Sequence, residues 1–195
     1  MAGHNKWTQI KRKKGVADAA KSRRFSRLAK QIQWEARKAG GDHNTAGLKA
    51  AIARAREANM PSDNIERAIK AATLAGANLE AVLYEAYGPG GAALIIEAMT
   101  DNKNRTAQEI KHLLAAHGAA LASPGAALWA FEQTPDGLRP GASGPAGYRP
   151  KNPRRVTGEE RTRLNELSAA LEKHEDVQNL WHDAAADPTD ENSGH

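Results

Sequence analysis

This 195-residue sequence predicts an α+β fold: a three-helix N-terminal domain followed by an antiparallel α/β sandwich domain of ferredoxin-like type. Three observations carry the prediction. Apolar residues recur at steps of three and four as far as residue 75, and strand-like stretches replace that period beyond Gly76. Gly and Pro clusters punctuate the remainder, with seven of the sixteen residues from Glu132 to Gly147 being Gly or Pro.

Taken in order, residues 1–16 read as an extended or loosely ordered basic arm, because the run Lys11-Arg12-Lys13-Lys14 lies among few apolar groups. Residues 17–77 form the helical domain. Asp18 is placed to cap a first helix whose buried stripe is Phe25, Leu28, Ile32 and Ala36, and Gly40-Gly41 ends it. Leu48, Ala51, Ile52 and Ala55 mark a second helix. Pro61, together with the capping-box spacing of Asp63 and Glu66, opens a third, with Ile65, Ile69 and Ala72 inward. The resulting core is rich in Ala, so Trp7 or the next domain is expected to help fill it.

Residues 78–183 form the α+β domain. Strands Ala81 to Tyr87 and Ala92 to Thr100 flank the hairpin Gly88-Pro89-Gly90-Gly91. A helix from Asp101 to Gly118 follows, then a strand pair, Ala119 to Leu121 and Ala126 to Phe131, around Ser123-Pro124-Gly125. After the Gly/Pro loop 132–147 come a strand at Tyr148 to Lys151, a helix from Thr157 to Lys173 with Leu164, Leu167 and Leu171 inward, and a strand at Val177 to Trp181. Thr157 with Glu160 has capping-box spacing. Residues 184–195 read as a disordered tail.

Charge is distributed unevenly. Residues 1–41 hold twelve Lys/Arg against two Asp/Glu, a balance of +10, while the remainder balances at −5. Such a segment suits a polyanion, since each neutralised phosphate releases condensed counterions. A solvated tail or an organellar presequence has a similar composition. Candidate nucleic-acid contacts are Lys6, Lys11, Arg12, Lys13, Lys14, Lys21, Arg23, Arg24, Arg27 and Lys30, with Trp7 and Trp34 available to stack on unpaired bases. Trp7 is equally placed to anchor the arm in the core, and Trp34 is expected to be exposed. Asn102, Lys103, Asn104 and Arg105, at a helix N-terminus, could hold an anion, or Thr100 and Asp101 could simply cap that helix.

Several classes are disfavoured. The chain has no cysteine, which removes disulfides and thiolate zinc sites and fits a reducing compartment, and the seven histidines lack metal spacing. No apolar run reaches the roughly 20 residues of a membrane span. No nucleophile and base pair can be read, leaving a nuclease built on Glu97, Asp101 and Glu109 as the enzymatic alternative. No cofactor and no membrane partner are expected, and the place of work is the bacterial cytoplasm.

Five ordered segments resemble the YebC/PmpR family, which includes the mitochondrial translational activator of cytochrome c oxidase: Met1 to Trp7, Asn59 to Ile69, Tyr84 to Gly91, Thr100 to Thr106, and Asp176 to His182. The resemblance implies a helical domain followed by α/β domains and no catalytic activity. It implies either a DNA-binding transcriptional regulator or a ribosome-associated factor that assists translation through proline-rich stretches. The resemblance implies that members of the family usually carry an additional α/β domain between the strands near Phe131 and Tyr148, where this chain has only its Gly/Pro loop. An adaptable basic arm, Trp residues and the absence of a base-reading helix-turn-helix favour ribosomal RNA, with promoter DNA as the alternative.

Overall fold

In the computed structural model of the protein, residues 3–40, 42–73, 79–134 and 147–185 are described, with the backbone alone for 3–16 and 73. The chain divides into two compact units, Met1–Ala77 and Asn78–His195. Among the described residues no helix is long and apolar enough to cross a membrane.

The first unit is three helices: α1 (Gly3–Lys38), α2 (Ala46–Glu57) and α3 (Ser62–Thr73). Residues 3–16, expected as an extended arm, are the opening turns of α1, and Asp18 lies inside that helix rather than capping it. Lys, Arg and Gln are good helix formers, and Gly15, the one Gly inside the segment beyond its first residue, costs about 1 kcal/mol, so a helix here needs no apolar stripe in the sequence. Among the described residues, the first α1 side chain packed against this core is Phe25. Ile32, Ala36, Leu48, Ala51, Ala55, Met60, Ile65, Ala68 and Ala72 form the buried cluster, and α1 packs on both α2 and α3.

Small residues let these helices approach. A Cβ on Gly47 would collide with the Glu35 carboxylate. The turn from α2 to α3 closes a Schellman motif: Asn59 sits at φ 58°, its N–H donates to Arg56 O at 2.9 Å, and Met60 N–H donates to Ala55 O at 2.9 Å. Asn tolerates the left-handed conformation better than most residues, which keeps α2 ending where Pro61 can start α3.

The second unit contains β1 (Glu80–Tyr87), β2 (Ala93–Thr100), α4 (Lys103–Ala116), β3 (Ala120–Leu121), β4 (Phe131–Thr134), β5 (Gly147–Pro150), α5 (Gly158–Lys173) and β6 (Val177–His182). A four-stranded sheet runs β3-β1-β2-β6, and β4 and β5 make a separate pair; these strand pairings are all antiparallel, and an isolated parallel bridge joins Arg154 to Ala184. Its two inner strands form a hairpin through Gly90 and Gly91, at φ 67° and 70°, where a ferredoxin-like order would insert a helix after the first strand. The ferredoxin-like element that is present is the split β-α-β in which α4 carries the chain from β2 to β3 across β1.

Strand alternation sorts the core. Ala86, Leu94 and Ile96 face α4 and α5 and pack on Ile110, Leu114, Leu164, Leu167 and Leu171, all fully buried. Each such Leu or Ile contributes about 1.5 to 3 kcal/mol by burial. Ala93 and Ile95 point the other way, onto Ala127, Ala130 and Phe131. Both faces of β2 are therefore covered, which explains its continuous apolar sequence.

Three expectations are corrected in this unit. Leu121 pairs with Ala86 of β1 rather than with the 126–131 segment, and that segment folds as turns leading into β4. Thr157 occupies the N-cap position of α5 without a side-chain capping bond. Of the expected tail, Ala184 is buried, and Ala185 N–H donates to Arg154 O at 2.8 Å. Residues 186–195 lie outside the described residues. So does 135–146, the interior of the Gly/Pro loop, whose ends pair as Thr134 with Gly147.

Candidate nucleic-acid interface

The basic residues of the N-terminal segment lie on one continuous helix. Twelve Lys/Arg and two Asp/Glu fall within α1, and the whole first unit balances at +11 while the second balances at −6. Lys6, Trp7, Lys11, Arg12, Lys13 and Lys14 belong to α1 by backbone, and their side chains lie outside the described residues. Farther along, Lys21 and Arg24 are exposed, whereas Arg23, Arg27 and Lys30 are half-buried against the bundle. Trp34, expected at the surface, is also half-buried.

Between α1 and α3 runs an open groove of about 490 Å³, floored by Phe25, Ala29, Met60 and Ala68 and edged by Asn64 and Arg67. A smaller hollow of about 380 Å³ lies on the other side of Phe25, beside Lys21, Arg24 and Asn59. Lys21 Nζ stands 5.5 Å from the Phe25 ring centroid, a cation over an aromatic face. The sequence pattern assigns Phe25 wholly to the core and gives Arg67 no role; the turn at Asn59 and Pro61, which folds α3 back on α1, is what sets Arg67 on the same groove as Phe25.

The cluster at the start of α4 is engaged internally. Asn102 Oδ1 caps the helix by accepting from Arg105 N at 3.1 Å, and Lys103 pairs with Glu80. Arg105 lies 2.9 Å from Asp176 Oδ2, 3.2 Å from Asp101 and 3.9 Å from Glu109. Its hydrogen bond to Asp176, and the charge of that carboxylate, push the guanidinium pKa up. Asp176 is fully buried and also accepts from Thr106 Oγ1 at 2.6 Å, which in turn meets Thr100 Oγ1 at 2.8 Å. These bonds hold α4 to the end of the sheet, and Asn104 is an exposed position on the same turn.

Glu109, His174 and Asp176 bring potential metal-ligand atoms within 4.8 Å of one another. The chemistry of the set argues against a cation. His174 Nδ1 accepts the Asp176 N–H at 3.1 Å, so its Nε2 carries the proton that faces Glu109 at 3.0 Å, and Arg105 already supplies the positive charge. Glu97, grouped in sequence with Asp101 and Glu109, instead accepts from Asn179 Nδ2 at 2.6 Å. It lies on the sheet face opposite the one packed on α4, since β2 residues alternate between faces.

A sequence model described as the TACO1/YebC protein N-terminal domain matches residues 5–75, and one described as the TACO1/YebC second and third domain matches residues 79–135. A probable transcriptional regulatory protein of Pelotomaculum thermopropionicum is 54% identical over 136 residues, covering 68% of this chain and 56% of that protein. One from Thermosipho melanesiensis is 52% identical, covering 68% and 54%. The chain thus spans little more than half the length of these curated relatives. A third, from Pseudothermotoga lettingae, is 39% identical over 234 residues, covering 93% of this chain and 92% of its own. That alignment is longer than the chain, so part of the relative has no counterpart here. The crystal structure of a conserved hypothetical protein from Aquifex aeolicus superposes with a TM-score of 0.78 at 27% identity, over 86% of this chain and 91% of that one.

Proposed function

Because the chain belongs to the TACO1/YebC family, we propose that it is a non-enzymatic regulator of gene expression that grips nucleic acid through α1. The single observation that carries this reading is the continuity of α1, 36 residues of helix with twelve cations and two acids. At 1.5 Å per residue it is roughly 54 Å long, enough to follow a duplex over more than one helical turn.

Helicity shifts the balance between the two polymers. The preference for ribosomal RNA drew on an adaptable arm, and that arm is a helix. The major groove of B-DNA admits an α-helix, whereas that of A-form RNA is too deep and narrow for side chains to read. Relatives bearing the name probable transcriptional regulatory protein support the same choice, so promoter DNA becomes the favoured target. A ribosome-associated role in elongation is the second reading, favoured by the cationic character of α1: phosphate contacts serve either polymer and carry no sequence information.

The end of the second-domain match at residue 135 and the unmatched stretch in the Pseudothermotoga relative support the view that segment 132–147 replaces a domain inserted in other family members. Crosslinking in cells followed by sequencing of bound nucleic acid tests the whole reading. Promoter DNA is the expected yield; ribosomal RNA alone would replace the DNA assignment with the second reading, and no enrichment of either would overturn both.

A further inference from the structure

Trp129 is 61% exposed, well above Leu83 at 39%, the other large apolar side chain at the surface among the described residues. It stands on the turn between β3 and β4, and that turn is held unusually firmly. Glu85, on β1, is 7% exposed, and its carboxylate accepts from the backbone N–H of Gly125 at 2.6 Å, Ala127 at 2.7 Å and Leu128 at 2.8 Å. Tyr87 OH donates to Ala126 O and accepts from the indole Nε1 of Trp129 at 3.3 Å. The indole is thus presented to solvent already oriented, and little further ordering is needed when a partner arrives.

Its surroundings select the partner. The second unit is acidic overall, yet Arg149, Lys151, Arg154 and Arg155 fall within seven residues that contain no acid. The run meets the Trp129 turn at its second cation: Lys151 N–H donates to Ala130 O at 2.9 Å. Arg149 pairs with Glu132 and Arg154 with Asp183. Lys151 and Arg155 are exposed, and neither forms an ion pair among the described residues. A protein partner needs roughly 800 Å² with few charges at its centre, which one indole among cations does not offer. A base stacked on an aromatic ring, with its phosphates on neighbouring cations, needs only what is here.

We propose that Trp129, with Lys151 and the basic run that continues from it to Arg155, forms a binding site for an unpaired nucleotide of a single strand, with the base on the indole and the flanking phosphates along that run. This site goes beyond the assignment of α1 and does not depend on it, since it lies on the other unit and takes an unpaired base rather than a duplex.

The test is fluorescence anisotropy with the full chain, using labelled oligo(U), oligo(dT) and a duplex of the same length. Trp129→Leu is expected to weaken single-strand binding by about tenfold, from a stacking contribution of roughly 1 to 3 kcal/mol per base. Trp129→Phe, which keeps a ring, retains most of the affinity and guards against a folding artefact. The double change Lys151→Ala with Arg155→Ala lowers the salt slope on single strands by about 1. Comparing oligo(U) with oligo(dT) identifies the polymer. Replacing Lys11 to Lys14 by Ala is expected to weaken the duplex and leave the Trp129-dependent part of single-strand binding intact, so the two assignments fail separately. Equal single-strand affinity of Trp129→Leu and the parent protein would overturn the site and leave the indole to a protein partner, as would an equal loss on duplex and single strand.

Discussion

Substituting Glu85 by Ala removes one buried carboxylate and orphans three backbone amides. Of these, the Ala127 N–H lies at a fully buried residue, the Leu128 N–H at a half-buried one, and the Gly125 N–H at an exposed one that water can reach. A buried donor left unsatisfied costs about 1 to 3 kcal/mol, so one full and one partial loss predict about 2 to 4 kcal/mol of destabilisation for Glu85→Ala. Glu85→Gln keeps an acceptor oxygen and loses the charge, for about half that amount. Burial pushes the Glu85 carboxyl pKa up, but the bonds from Gly125, Ala127 and Leu128 outweigh it and leave the pKa below its ordinary value of 4.5. A carboxyl with a depressed folded pKa stabilises the fold above its unfolded pKa, and that contribution disappears as pH falls through the folded value. Urea unfolding followed by tryptophan fluorescence checks both effects: the parent should lose stability below about pH 4.5 more steeply than Glu85→Gln. A Glu85→Ala chain within 0.5 kcal/mol of the parent at pH 7, or identical acid profiles for parent and Gln variant, would refute the account of this clamp.

Other perturbations follow from the same structure. Arg105→Ala removes the arginine partner of the fully buried Asp176, which keeps its Thr106 bond; because the arginine side chain is 40% exposed, the expected loss is about 2 kcal/mol, read by thermal unfolding. Leu167→Ala, between α5 and the sheet, should cost about 2 to 5 kcal/mol in urea midpoint analysis. Gly90→Ala meets both a left-handed φ of 67° and a new Cβ 2.9 Å from Val156 Cγ1, and is expected to lower stability by about 1 to 3 kcal/mol; Gly118→Ala, whose Cβ meets nothing within 4 Å, should cost less in the same assay.

The parts legible in sequence are those in which burial writes a period. Phe25, Ile32 and Ala36 marked the packed half of α1, and Leu164, Leu167 and Leu171 marked α5, because each buries one stripe against a neighbour. The opening turns of α1 carry no such stripe in the sequence, so periodicity reads them as an arm. Segment 126–131 looks like a strand because it is apolar, yet its Ala127 and Leu128 amides are satisfied by Glu85 Oε2, 42 and 43 residues earlier in the chain. Local patterning cannot reveal that kind of partner. The same distance hid the setting of Trp129. At the α4 terminus, sequence marked Asn102 to Arg105 as open to an anion, and Asp176, seventy-one residues beyond Arg105, supplies that negative charge from within.

The dependence of duplex affinity on salt tests the central claim, that α1 is the nucleic-acid-gripping element, most directly. With the log of the association constant plotted against the log of salt concentration, each phosphate contact on B-DNA contributes about −0.9 to the slope. Replacing Lys11, Arg12, Lys13 and Lys14 by Ala should therefore flatten it by up to about 3.6 while circular dichroism keeps its helical signal. A slope that these four substitutions leave unchanged would contradict the account.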